Sequence, residues 1–120
     1  MAYSAADGEW VQELLAGLGP LTLKKMFGAG AVYADGLMFA IVDDGVLWLR
    51  GDEGNIARMQ AAGARQFTYP TKDGEHASLG YWSIPETAVD DPDEAVEWAR
   101  EALDAARRKA AAKKPGKTKK

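Results

Sequence analysis

Lys24 and Lys25 stand just ahead of Gly28 and Gly30 in the run LKKMFGAG. Lysine beside a Gly-x-Gly pair is a combination that can cradle phosphate, because glycine opens backbone amides and the ammonium supplies charge. The order of the parts is wrong for the two familiar cradles. A Walker loop puts its lysine after the glycines and runs into a helix. The dinucleotide fingerprint needs a strand, a tight turn and a helix. Here the bases come first and a strand-like run follows. Gly28 and Gly30 are therefore read as room for close backbone approach or a bulge, with Met26 and Phe27 as core anchors. Lys24 and Lys25 stay a weak surface candidate, as the only adjacent bases in an acidic body.

The other residues able to do chemistry are few. His76 is the single histidine, and Asp73-Gly74-Glu75-His76 reads as part of a polar loop from Pro70 to Ala77. A general base needs an oriented partner and a nucleophile, and closeness in a loop to Glu75 and Ser78 does not make a triad. Asp90, Asp91, Asp93 and Glu94 lack the alternate acids and central glycine of a calcium loop, and Pro92 among them fits a helix start. There is no cysteine, which excludes disulfides, thiolate zinc sites and thiol nucleophiles. No catalytic residue, cofactor or metal is expected. Tyr33, Trp48, Tyr69, Tyr81 and Trp82 lie on expected strands. Sheets that stack RNA bases carry such rings in a basic field; the acidic body favours core or dimer packing instead.

Charge divides the chain. Residues 107–120, RRKAAAKKPGKTKK, hold eight of the 15 bases and no acid. The first 106 residues keep seven bases against 18 acids, a net of -11. Arg107, Arg108, Lys109, Lys113, Lys114, Lys117, Lys119 and Lys120 are thus candidate contacts for DNA or RNA, through counterion release. No run approaches the ~18 apolar residues of a membrane span, and no leader pattern is visible at the N-terminus. A cytoplasmic protein without membrane contact is expected.

These residues need elements to position them. Ser4, with Asp7 three residues on, predicts a capped helix whose stripe is Trp10, Val11, Leu14, Leu15 and Leu18, ended by Gly17, Gly19 and Pro20. Ala31–Ala34 and Leu37–Val42 flank Asp35-Gly36, the pair a type I′ hairpin turn requires. Asp43-Asp44-Gly45 makes a second turn before Val46–Arg50. The second of these strands is expected to show Leu37, Phe39 and Ile41 on one face and Met38, Ala40 and Val42 on the other. The third shows Val46 and Trp48 against Leu47 and Leu49. Strands apolar on both faces are covered on both, so a partner subunit is the candidate cover for a face without helices. Asp52 is read as the cap of a second helix reaching about Ala62. Gln66–Tyr69 and Ser78–Ser83 are read as the last strands, and Pro85 ends them. Asp91-Pro92-Asp93-Glu94 opens a long helix with Val96, Trp98, Ala99, Ala102, Leu103 and Ala106 as its stripe. Pro115-Gly116 is expected to stop it and leave the last lysines disordered.

The pattern KKMFGAGAVYADGLMFAIVDDGVLWLR resembles the signature of the TfoX N-terminal domain family, the Sxy-type competence regulators of bacteria. The matching residues are Lys24, Lys25, Met26, Phe27 and Gly28, then Gly30, then Asp35 and Gly36, then Trp48. Phe67 and Tyr69 follow, and then Tyr81 and Pro85. The resemblance covers about residues 6 to 106. It implies an α+β fold of two layers in the order α-β-β-β-α-β-β-α, with helices mainly on one face of an antiparallel sheet. The domain is residues 1–106 and the basic tail 107–120. It also implies a regulatory role in DNA-uptake competence and transcription, without known catalysis. Full-length regulators of this kind carry a second, helical domain where a basic tail stands here. The expected function is a non-catalytic, protein-interacting regulatory domain, with self-association through the sheet face as the candidate contact. The alternative is a nucleic-acid-associated protein that binds through its tail.

Overall fold

The computed structural model describes the backbone of residues 4–26, 28–70 and 76–118. Helix α1 spans Ala5–Leu14 and a 3-10 turn follows at Ala16–Leu18. Strands β1 (Thr22–Met26), β2 (Ala29–Ala34), β3 (Leu37–Asp43) and β4 (Val46–Arg50) come next. Helix α2 is Ile56–Ala61, β5 is Gln66–Pro70 and β6 is His76–Ser83. Helix α3 is Pro92–Thr118. All six strands form one antiparallel sheet in the order β1-β2-β3-β4-β6-β5. The α+β, one-sided architecture is as expected. No helix among the described residues is long and apolar enough to cross a membrane.

The local signals explain most of the elements. The Ser4 Oγ accepts from the Asp7 amide (3.2 Å), and the Asp7 carboxylate accepts from the Ser4 amide (3.4 Å), a capping box. Both hairpin turns of the central meander are Asp-Gly with positive φ at each residue, 54° and 77° at Asp35-Gly36 and 55° and 79° at Asp44-Gly45. Asp91 caps α3, its carboxylate accepting from the Glu94 amide at 3.2 Å.

Five expectations need correction. The sheet has a further strand, β1, so the order is α-β-β-β-β-α-β-β-α. That strand sits at the sheet edge with three of its five residues exposed, so it carries no alternating apolar signature. The hairpin from β1 to β2 turns at Gly28, whose φ of +82° is what its lack of a Cβ permits. Second, Asp52 caps a turn rather than a helix: its carboxylate accepts from the Gly54 amide at 2.8 Å, and Asn55 occupies the position ahead of α2. Third, His76 belongs to β6, opposite Pro70, rather than to a loop; Asp73, Gly74 and Glu75 lie outside the described residues. Fourth, the α3 backbone continues through Pro115-Gly116 to Thr118. A proline deletes one backbone bond, and a helix already nucleated over many turns propagates past it.

The fifth correction concerns side-chain parity. Val32 faces Ala40, yet Tyr33 faces Met38, so Phe39 is an extra residue on β3, a β-bulge. Leu37 and Phe39 point to the helices, and beyond the bulge so do Ala40 and Val42. Met38 and Ile41 point the other way. A bulge reverses the period-2 rule once, and strict alternation therefore assigned Ala40, Ile41 and Val42 to the wrong faces. The core under the helices joins Phe39, Val42, Leu47 and Leu49 to Val11, Leu15, Met59 and the alanine stripe of α3. Each fully buried aliphatic or aromatic side chain contributes about 1.5–3 kcal/mol.

Gly51, just after β4, is a tight point of this core. A Cβ there would lie 2.7 Å from both Ile56 Cγ1 and Trp82 Cδ1. Gly51→Ala is expected to destabilise the fold by about 1–3 kcal/mol through overpacking. Urea unfolding checks it: a lowered midpoint at unchanged slope is the expected result, and a parental midpoint would refute it.

Candidate functional site

The helices occupy one face of the sheet, and every helix residue of the hydrophobic clusters belongs to that side. The other face is made by strand residues alone among those described. Its centre is a cross-strand row, Ala31, Ile41, Trp48 and Ser83, set by the β2-β3-β4-β6 register. Ala29, Ile41 and Tyr81 are buried there, with Met26, Met38, Trp48 and Phe67 half-buried over them. Trp48 and Phe67 meet edge to face, ring centroids 5.1 Å apart at 65°. The face lacks a covering helix but it is not bare. Long side chains lie across its small and branched ones. The one large hydrophobic that the described surface exposes is Val89, on the connection into α3.

Three cations lie on the rings of this face. Lys24 Nζ is 5.2 Å from the centre of the Tyr33 ring, the Arg50 guanidinium is 5.2 Å from that of Tyr81, and the Arg65 guanidinium is 5.5 Å from that of Trp48. A cation over a ring face gains about 0.5–2 kcal/mol from the ring quadrupole, more as water is excluded. Burial pushes the Tyr81 phenol above its ordinary value of 10.0, while the Arg50 charge and hydrogen bond pull the other way. Tyr81 therefore holds its proton throughout the neutral range. The indole N–H of Trp48 is buried without a hydrogen-bond partner, as is that of Trp82 on the helix side. Guanidinium and ammonium groups thus lie against aromatic rings on this face.

The residues picked out from sequence are distributed by this geometry. Met26, Trp48, Phe67 and Tyr81 come together on the helix-free face. Asp35 and Gly36 make the β2–β3 turn, Gly30 is buried in β2 opposite Lys25 and Val42, and Pro85 is buried after β6. Phe27 lies outside the described residues, and so does the side chain of Tyr69, whose backbone pairs with Ala77. Lys24 and Lys25 do not form a pair: neighbours on a strand point to opposite faces, and Lys24 alone reaches the ring of Tyr33. Arg50 and Arg65 were not singled out from sequence. Arg50 shares the parity of Val46 and Trp48, which is a readable signal; Arg65 reaches Trp48 only through the β5–β6–β4 arrangement.

The basic tail begins with two arginines that are engaged with the body. Arg107 Nη2 donates to the Asp35 carboxylate at 2.6 Å, and Nη1 to Asp104 at 3.2 Å. Arg108 grips Asp52 with both Nε (2.7 Å) and Nη2 (2.8 Å). Arg58 of α2 pairs with Glu101 of α3. These contacts fasten α3 to the β2–β3 turn, to the loop after β4 and to α2. Lys109 is exposed. Lys113, Lys114 and Lys117 are carried on the α3 backbone, their side chains outside the described residues, as are Lys119 and Lys120 altogether.

Comparison with known proteins matches the chain to a family. The family model "TfoX N-terminal domain" matches residues 13–106. Protein Sxy of Escherichia coli (strain K12) is 32% identical over 95 residues, covering 79% of this chain and 45% of the relative. The chain thus spans less than half the length of that curated relative.

The Arg108–Asp52 pair has a pH signature. The hydrogen bond from Arg108 holds the Asp52 carboxyl below its ordinary 3.8, with burial opposing. A carboxyl depressed in the folded state contributes stability that is present above 3.8 and lost as pH falls through the lower folded value. Arg108→Ala is expected to lower the urea midpoint at neutral pH. The gap from the parent should close on acidification below 3.8. A gap independent of pH would show that the arginine acts through packing alone.

Proposed function

The chain belongs to the TfoX N-terminal domain family, related to competence regulation, and from that premise we propose that it acts as a non-catalytic regulatory domain that binds a protein partner. The observation that carries the reading is the composition of the helix-free face. Tryptophan, tyrosine, methionine and arginine are the residues enriched in protein interfaces and their energetic centres. Here Trp48, Tyr81, Met26, Met38 and Arg50 share one face. Half-exposed methionines add an adaptable surface. Rigid strands hold the array in place, so a partner meets a preorganised surface and orders little on binding.

The test places a photoreactive residue at Met38, on this face, and as control at Glu97, on α3. Irradiation in the native cell is expected to give a discrete protein adduct from position 38 that survives nuclease and is missing from position 97. No adduct from position 38, or one that nuclease removes, would overturn the reading.

A second reading keeps nucleic acid as the partner of the tail. It is favoured by the α3 backbone continuing to Thr118, beyond Ala106, the last buried residue among those described, so that Lys109, Lys113, Lys114 and Lys117 ride on a helix. Because Arg107 and Arg108 clamp the body, the informative truncation ends the chain after Arg108. That variant is expected to keep the parental urea midpoint and lose a salt-dependent shift of duplex DNA. If the full chain gives no shift at low salt, the tail reading fails.

A further inference from the structure

The arginines that open the basic tail differ from the lysine behind them in what they face. Arg107 donates to Asp35 at 2.6 Å and to Asp104 at 3.2 Å. Arg108 takes both oxygens of Asp52, with Nε at 2.7 Å and Nη2 at 2.8 Å. Lys109, the next residue, meets no carboxylate among the described residues. It shares one open cleft with Arg50, Asp52, Glu53 and Arg108. A guanidinium offers a planar fork of donors that fits carboxylate and phosphate alike. Asp52 therefore holds Arg108 by donors that a phosphate would use, and Asp35 holds Arg107 from the β2–β3 turn. Both pairs are open to solvent, and exposed pairs are weak enough to exchange one anion for another.

We infer that the carboxylates of Asp35 and Asp52 are internal competitors for Arg107 and Arg108 and restrain the binding of nucleic acid by the tail. In the closed arrangement the lysines from Lys109 onward supply the contacts. Phosphates that displace the two carboxylates recruit the arginines. The same step frees α3 from the β2–β3 turn and from the loop after β4. The restraint rests on the tail reading above and adds its regulation. It also favours a polyanion over a small one. An isolated anion exchanges one ion pair for another, whereas a duplex presents phosphates in series along the tail.

The experiment measures binding of the full chain to a fluorescent DNA duplex by anisotropy, from about 50 to 200 mM salt. Asp35→Asn combined with Asp52→Asn removes the competitors. Asparagine tolerates the positive φ at position 35 and keeps an oxygen for the Gly54 amide at position 52. Asp44→Asn combined with Glu53→Gln is the matched control and removes the same charge. Asp44 occupies the same kind of Asp-Gly turn, and Glu53 lines the same cleft as Asp52. Neither meets a cation among the described residues. The first variant is expected to bind about tenfold more tightly at the low-salt end, with a salt slope steeper by about 0.9 for each freed arginine. The control should gain less and keep the parental slope. Adding Arg107→Gln and Arg108→Gln to the first variant should abolish the gain. Amide resonances of Phe39, Leu47 and Leu49 that stay in place show that each variant keeps the fold. Equal gains in the first variant and the control overturn the inference, because net charge alone then accounts for the change. A gain that survives the arginine replacements overturns it as well. Duplex binding by the parent with no gain in the first variant overturns it and leaves the tail reading standing. Absence of duplex binding by every variant removes the tail reading along with it.

Discussion

The packing of one alanine-striped helix against the middle of the sheet conditions everything else in this molecule. Ala95, Ala99, Ala102 and Ala106 of α3 are buried in one cluster with Phe39, Val42, Leu47 and Leu49. Small residues let the helix axis come close, and the large strand side chains fill the space between. Only one face of six strands is covered this way. The opposite face then has to shelter Ala29, Ile41 and Tyr81 with what the strands themselves provide, which is Met26, Met38, Trp48 and Phe67. The cation-capped rings follow from that constraint. Arg50 and Arg65 lay their guanidinium groups over the rings of Tyr81 and Trp48.

A single backbone irregularity makes the two faces possible on so short a chain. The bulge at Phe39 lets β3 send Leu37, Phe39, Ala40 and Val42 to the helix side, where a regular strand would alternate. It also adds local twist, which helps a six-stranded sheet wrap around its helices. Without it Val42 and Ile41 would exchange sides, and Trp48 would lose its branched neighbour across β3. The packing of the two faces is therefore coupled through one extra residue.

Charge is arranged with the same economy. Hairpin acids serve twice. Asp35 supplies the positive φ of its turn and receives Arg107; Asp52 closes a loop on the Gly54 amide and receives Arg108. Such exposed pairs are individually weak. Their use here is geometric, since each ties α3 to a different part of the sheet. What reads as a uniform basic tail in composition is two populations: arginines that fasten the helix, and lysines beyond them.

Much was legible from residue order. The capping box at Ser4 and Asp7, the two Asp-Gly hairpins, the cap at Asp91 and the stripe of α3 are local devices, whose partners lie within a few positions. They determined α1, the start and buried stripe of α3, the central meander and, with the run around Met26-Phe27-Gly28, the family. The strand at Thr22–Met26 escaped because an edge strand exposed on both sides leaves no period. The faces of Ala40, Ile41 and Val42 escaped because a bulge is invisible to strict alternation. Of the candidate site, Trp48, Phe67 and Tyr81 were visible as residues but not as one surface. Their assembly with Arg50 and Arg65 depends on β6 entering between β4 and β5, a pairing across more than thirty positions of chain. The sequence by itself determined the local elements and the sign of the charges, because those depend on near neighbours. Which cation meets a carboxylate and which meets a ring was decided only by the tertiary structure, because that depends on strand order and register.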